Sequence, residues 1–470
     1  MEEELYSGWV TFRKEKFAFS FNGEELHLIP TEDKKEKYKW DWFHESITPG
    51  LFIPKSDKID ERFIKGECFE TSSTIVFIAK PNSFLCQNNS ALVIPLWGYI
   101  LFEFGKESPI DRISIRCPEL NHIYSLRKAI QHKQSVRNRS YSIKTIPINR
   151  TKSEEQVFEA FGKQCKVYFS GVYTPSNKPN EAPLQINSCL MVEFRRTDNY
   201  DFIIRIWDTC YRLIQYLSYR QNIHISALSL ERPYKGGMHE KCAEMHWIHP
   251  MPEIEERPMK KDMYIHQEDI AGIEGKLLAD IAETKLYTRH IPESYESGRH
   301  VNEARFVMIT AALECEFSRL YPNGVEKAEK TINAENECKE HLKELVETKT
   351  GIVKGIYKRF LKQLENEGSL PEKVIQIGKD FNEMTEDFGK GLYKLNNSKL
   401  NYSDMAKRLS EQRNHFAHGD LDKEFIGDSL LDLIYLEWII YAIQLKYYGI
   451  PYEKRRIVIS NLFGLNKYFE

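Results

Sequence analysis

The stretch SEQRNHFAHGDLD (410–422) gathers Arg413, Asn414, His415 and His418 just ahead of a glycine. These residue types suit phosphoryl chemistry. RNA carries its own nucleophile, the 2′-OH. A protein that cuts it must hold the phosphate, move a proton and offset the charge of a pentacoordinate transition state. An arginine fork matches phosphate oxygens and stays charged. A histidine titrates near neutrality and can carry the proton. The plainer reading is that the cations complement the negative end of a helix dipole, an effect of about 0.3–1 kcal/mol each. That accounts for the cations but not for Asn414 or the Ala-His-Gly ending. The bare pattern of an arginine, four to six intervening residues and a histidine decides little, since it recurs at Arg116–His122, Arg127–His132, Arg232–His239 and Arg408–His415.

Two further groupings carry chemistry-bearing side chains. HEKCAEMHWIH places His239, Cys242, His246 and His249 close together. All are metal-ligand types, yet their spacing fits no common zinc pattern, so metal binding and a structural role both stay open. Between Leu120 and Lys152 lie Arg127, Lys128, Lys133, Arg137, Arg139, Lys144, Arg150 and Lys152, with no carboxylate among them and Tyr124 and Tyr141 interspersed. Such a stretch can neutralise phosphates while rings stack on bases, or it can be an ordinary solvated face. The RNA-contact candidates are Arg127, Lys128, Lys133, Arg137 and Arg139. The chain holds no GxGxxG, P-loop, HExxH or GxSxG motif.

The sequence RNHFAHG resembles the signature of HEPN-domain ribonucleases, all-helical dimers with an Arg–polar–x–x–x–His motif. MITAALECEFSRLYP (308–322), with Glu314, is similar to an earlier helix of that domain. A β-rich half ahead of it resembles the ApeA-like branch, associated with abortive infection against phage. The resemblance implies that Arg413 contacts phosphate, Asn414 is the polar second position and His418 is the catalytic histidine. His415 stands at a variable position and its role is open. The resemblance also implies a cytoplasmic toxin without cofactor, a homodimer, an RNA substrate with tRNA foremost, and an N-terminal half that senses a trigger such as a phage-encoded protein. A rival reading keeps the fold and dimer but makes the chain a non-catalytic scaffold with a β-rich recognition domain.

These residues need elements to hold them. The 470-residue chain has 41% hydrophobic and 29% charged residues and a net charge of −3. It can bury sizeable cores, and no global field draws it to polyanions. Nine scattered cysteines without a CxxC pair, and an N-terminus without a signal-like apolar run, point to reduced thiols in a cytosol. No apolar run is long enough for a membrane span.

The pattern predicts an α+β chain. A β-rich region covers 1–250, a linker 251–265, an all-α region 266–450 and a tail 451–470. Strand candidates include GWVTFRKEKFAFSFNGEELHLIP, with a hairpin turn at Asn22-Gly23, and TSSTIVFIA, ALVIPLWGYILFEFG, DRISIRC, KVYFSGVY, LQINSCLMVEFR and ISALSLE. Helices are expected at 120–134 and 199–222. Beyond the proline-rich 249–262 they are expected at 266–290, 297–320, 324–348, 352–367, 371–394, 402–418 and 424–448. Asn401 or Ser403 would start the 402–418 helix and Gly419 would follow its end. On a regular helix Arg413 and His418 stand about 140° apart. Fraying after Ala417, or pairing with a second copy, could bring them together. Helix 424–448 is apolar over most of its circumference, which suggests burial on several sides and a two-fold interface.

Overall fold

The computed structural model describes residues 6–32, 44–48, 51–54, 58–88, 91–103, 107–135, 140–147, 150–180, 182–225, 227–248, 263–364, 368–418 and 424–465. The chain divides into a strand-rich unit, Met1–Cys210 with Asn222–Ile254, and a helical unit, Tyr211–Gln221 with Glu255–Glu470.

In the strand-rich unit, Tyr6–Phe12, Glu15–Phe21, Glu25–Ile29, Phe63–Cys68, Thr74–Ala79 and Ala91–Phe102 close an antiparallel barrel. The long last strand pairs with both Glu25–Ile29 and Thr74–Ala79, which shuts the ring. Alternation in sequence becomes alternation in space. Val10, Phe12, Phe17, Phe19, Phe21, Leu26, Leu28, Ile64, Phe77 and Ile94 fill the interior. Phe19 and Phe21 set their ring edges against Phe77 at 5.2 and 5.4 Å. The expected turn forms at Asn22-Gly23. The Asn22 side chain accepts from the Glu24 and Glu25 N–H groups, and Gly23 has φ +99°.

The same long strand continues the sheet through His239–Trp247, Ala227–Pro233, Ile110–Arg116, Leu184–Thr197, Lys163–Pro175 and Gln156–Ala160. The helix expected at 120–134 is not one element. Helix α1 (Pro118–Ile123) stops early, Leu126–Ala129 forms a 3-10 turn, and Ile130–Ser135 is a strand paired with Ser140–Thr145. The helical spacing of apolar residues there yields to strand pairing with the β-branched and aromatic run SYSIKT. Helix α2 (Tyr200–Ser218) carries the division between units.

The helical unit contains α3 (Glu274–Ala282), α4 (Glu303–Leu320), α5 (Glu329–Thr348), α6 (Gly351–Leu364), α7 (Leu370–Leu395), α8 (Tyr402–His418), α9 (Ser429–Tyr447) and α10 (Tyr452–Leu462). Every residue of α9 from Tyr435 to Leu445 is buried, against α4, α7, α8 and α10. Its apolar circumference is therefore covered by its own chain and does not require a second copy. Two helical glycines let α7 approach closely. A Cβ at Gly378 would meet the Tyr402 ring at 2.5 Å, and one at Gly389 the Tyr435 ring at 2.8 Å. A Ser369–Glu372 capping box starts α7.

Other boundaries differ from expectation. Within 266–290 only α3 and a 3-10 turn, Gln267–Asp269, are helical, because Gly272 and Thr284 take left-handed φ of +89° and +55° on either side of α3. Within 451–470, expected as a tail, α10 is a helix that buries Val458, Ile459 and Leu462. The linker segment 251–262 lies outside the described residues, while Tyr264 and Ile265 are buried.

Candidate functional site

Helix α8 begins where Asn401 accepts hydrogen bonds from the Ser403 and Asp404 N–H groups at 2.9 and 3.3 Å. Met405, Leu409 and Gln412 form its buried face. Arg408 makes a two-pronged contact with the Asp432 carboxylate of α9 at 2.7 and 2.8 Å. Tyr393 donates to the same carboxylate. The last turns are fixed by two residues four apart. The buried Gln412 Oε1 accepts from the Ile426 N–H at 2.7 Å, and its Nε2 donates to the Glu424 carbonyl at 3.3 Å. Phe416 packs edge-on to Phe306 and Phe425. That explains why the helix expected at 424–448 begins only at Ser429: residues 424–426 bind Gln412 instead.

The pinned face sets the neighbouring positions. Arg413 Nη2 lies 2.7 Å from Glu314 Oε2 on α4, with about a third of the arginine side chain exposed. Asn414 is exposed and His415 is half-buried. The helix runs unbroken through Ala417 to His418, so fraying after Ala417 does not occur. The two motif positions remain five residues apart on one helix, about 140° around its axis. The side chain of His418 and the expected helix stop at Gly419 lie outside the described residues.

The structure distributes the other candidates. His239, Cys242 and His246 sit on one strand, His239–Trp247, a placement the histidine-rich sequence did not signal. His239 Nε2 lies 3.4 Å from Asp111 Oδ1. Cys242 is buried and its Sγ donates to the Leu230 carbonyl. His246 stacks on Tyr99 with ring centroids 4.6 Å apart. His249 lies outside the described residues. Among the described residues no cluster of three potential metal ligands occurs.

In the basic stretch, Lys133 and Lys144 are exposed on the Ile130–Ser135 and Ser140–Thr145 strands. Arg127 and Lys128 fall in the 3-10 turn, but their side chains, with Arg137 and Arg139 entirely, lie outside the described residues. Lys152 pairs with Glu155 at 2.5 Å and covers the Tyr168 ring at 3.6 Å. Its charge is met by an acid just beyond the acid-free stretch.

A buried polar group escaped notice in the sequence. Arg305 reaches Glu437 at 2.6 Å and the carbonyls of Ser297, Gly298 and His300. Beside them His290 is fully buried among the rings of Tyr219, Tyr287 and Tyr441. Neither of its nitrogens has a hydrogen-bond partner among the described residues. Burial first, and the Arg305 charge second, push its pKa down to about 3. A second network joins Asp280, Arg319 and Tyr448, with Glu316 accepting from Arg319, Gln444 and the Tyr287 N–H. The available signal was Asp432, Glu437 and Gln444 within an otherwise apolar helix, since a buried polar residue needs a partner elsewhere.

No protein-family model, curated protein or solved structure matches the chain.

Proposed function

We propose that the protein is a metal-independent endoribonuclease of the HEPN type, acting through Arg413, Asn414 and His418 in a homodimer. The observation that carries the reading is the placement of Arg413. It is partly exposed, next to the exposed Asn414, on a helix whose end is anchored by Gln412 and Phe416. Glu314 engages one nitrogen of the guanidinium. An arginine has five N–H donors in a rigid fork, so donors remain for a phosphate oxygen. In the reaction a histidine takes the 2′-OH proton, O2′ forms a bond to phosphorus, and the bond from phosphorus to the 5′ oxygen breaks. A proton returns to that leaving oxygen. Pairing two copies would supply one histidine for each transfer and would overcome the 140° offset of about five helical residues. Arg413 offsets the charge on the phosphorane.

In this reading the substrate is cellular RNA, with tRNA foremost. Arg127, Lys128, Lys133, Arg137 and Arg139 hold its backbone. The strand-rich unit restrains the nuclease until a trigger, such as a phage protein, arrives. The setting is cytoplasmic antiviral defence by abortive infection. Among the described residues no helix is long and apolar enough to cross a membrane, which is compatible with that setting.

The Glu314 contact also supports a second reading, in which Arg413 ties α4 to α8 within a non-catalytic scaffold. Wild type and His418→Ala, expressed side by side with cellular RNA analysed, separate the two. RNA fragments that appear only with wild type support the nuclease. Intact RNA in both, after the trigger has been supplied, leaves the scaffold.

A further inference from the structure

Helices α5 and α6 pack against each other across the short link Lys349–Thr350 as an antiparallel hairpin. Neither helix contains a buried residue. Leu342, Leu345 and Val346 on α5, and Tyr357, Leu361 and Leu364 on α6, are half-buried and mark the side where the hairpin closes. A second apolar stripe remains on α6. Ile352 is 86% exposed, Val353 48%, Ile356 39% and Phe360 49%. At about 100° per residue these four positions share one flank of the helix. A contiguous exposed apolar stripe on a helix marks a surface that meets a partner.

Charge identifies the partner. Helix α5 carries Glu329, Glu335, Glu337, Glu340, Glu344 and Glu347 against three lysines, while α6 carries Lys354, Lys358, Arg359 and Lys362 and no carboxylate. Among the described residues α5 makes its ion pair with Lys327, at Lys327–Glu335, and within its own length His341 Nδ1 stands 3.9 Å from Glu344 Oε2. Among the described residues none joins an α5 carboxylate to an α6 cation. The hairpin thus presents an acidic helix, a basic helix and an apolar stripe side by side. A two-fold interface requires a surface complementary to itself, and this one is. RNA or an anionic membrane fits less well, because seven cations stand beside six carboxylates.

We propose that the α5–α6 hairpin is a self-association surface. The hairpin of a second copy lies antiparallel on it, its α6 stripe meeting the same stripe, its α5 carboxylates facing the α6 cations. The inference stands whether or not the protein cuts RNA, because its readout is mass. The test is sedimentation of the full-length chain at micromolar concentration. Wild type should be dimeric, and Ile356→Glu with Phe360→Glu should shift it to monomer while each chain keeps its helical circular dichroism, since both residues are exposed; the unfolding midpoint should fall only by the stabilisation that association supplied. Lys358→Glu with Arg359→Glu should weaken dimerisation at least tenfold, and adding Glu340→Lys with Glu344→Lys to the same chain should restore it. A monomeric wild type, or variants that keep the wild-type dimerisation constant, would overturn the proposal. So would an unchanged mass together with loss of binding to vesicles of anionic phospholipid, which would assign the stripe to a membrane surface.

Discussion

Arg413 on α8 and Glu314 on α4 stand 2.7 Å apart, nitrogen to oxygen, at a partly exposed position. A pair this exposed contributes about 0–1 kcal/mol to stability. Its value lies in orientation: the carboxylate holds a flexible guanidinium at one angle beside Asn414. It also opposes the approach of a phosphate. Glu314→Gln should therefore change the unfolding free energy by less than about 1 kcal/mol. It should tighten RNA binding by removing a negative charge, and it should slow single-turnover cleavage about tenfold, equivalent to about 1.4 kcal/mol of barrier. Binding and rate measured on the same preparation check both signs.

Gln412 and Asn414 are neighbours with opposite duties. Gln412 is fully buried and serves the backbone of residues 424 and 426. Gln412→Ala should cost about 1–3 kcal/mol, the penalty for leaving buried backbone groups unpaired. The exposed Asn414→Ala should stay within about 0.5 kcal/mol of wild type while reducing cleavage. Chemical denaturation of the two variants tests the contrast.

His290 makes the helical unit sensitive to acid. It has no hydrogen-bond partner among the described residues and is surrounded by Tyr219, Tyr287 and Tyr441, with Arg305 and Glu437 beyond. Its folded pKa is depressed from 6.5 to about 3. The stability it contributes is fully present above about 6.5 and is lost as pH falls toward 3, at about 1.4 kcal/mol per pH unit while the shift lasts. Glu316 and Glu437 have pKa values raised by burial, so they act in the opposite sense at the acidic end. Stability measured from pH 7 to pH 4 should decline in wild type and decline less steeply in His290→Gln. Equal slopes would show that the imidazole does not carry the effect.

The basic stretch should set RNA affinity and not the cleavage position. Charge reversal at Arg137 and Arg139 should weaken binding and flatten its dependence on salt, because each lost phosphate contact lowers the slope by about 0.7–0.9. Lys152→Glu is the control. Its charge is already engaged by Glu155, so its effect on the salt slope should be the smaller. Filter binding across a salt series reads both.

Period and turn chemistry made the broad architecture legible. Phe17, Phe19 and Phe21 alternate into a barrel interior, and Asn22-Gly23 turns where such a pair should. The order of strands before helices followed from these local signals. What failed was the competition between them. Apolar residues at 120, 123, 126 and 130 read as one helix, yet strand pairing with Ser140–Thr145 claims Ile130. Tyr452–Leu462 has too few apolar residues to stand out, and it becomes a helix by docking Val458, Ile459 and Leu462. In the site, the position of Arg413 was readable but its partner was not. Glu314 lies on another helix, far away in the chain, and only packing brings it close.

The proposed reaction is internal attack by the RNA's own 2′-OH, managed by Arg413 and His418. The most direct measurement is cleavage of RNA in excess EDTA by wild type, Arg413→Ala and His418→Ala, followed by chemical identification of the fragment ends. Wild type should cut and leave 2′,3′-cyclic phosphate and 5′-hydroxyl ends, with DNA untouched because it lacks the hydroxyl. His418→Ala should lose roughly 10²–10⁴-fold in rate, the range of a positioned proton carrier, Arg413→Ala roughly 10²–10³-fold, the range for one lost transition-state donor, and both should keep their fold. Fragments with 5′-phosphate ends, or cleavage abolished by EDTA and restored by magnesium, would contradict it.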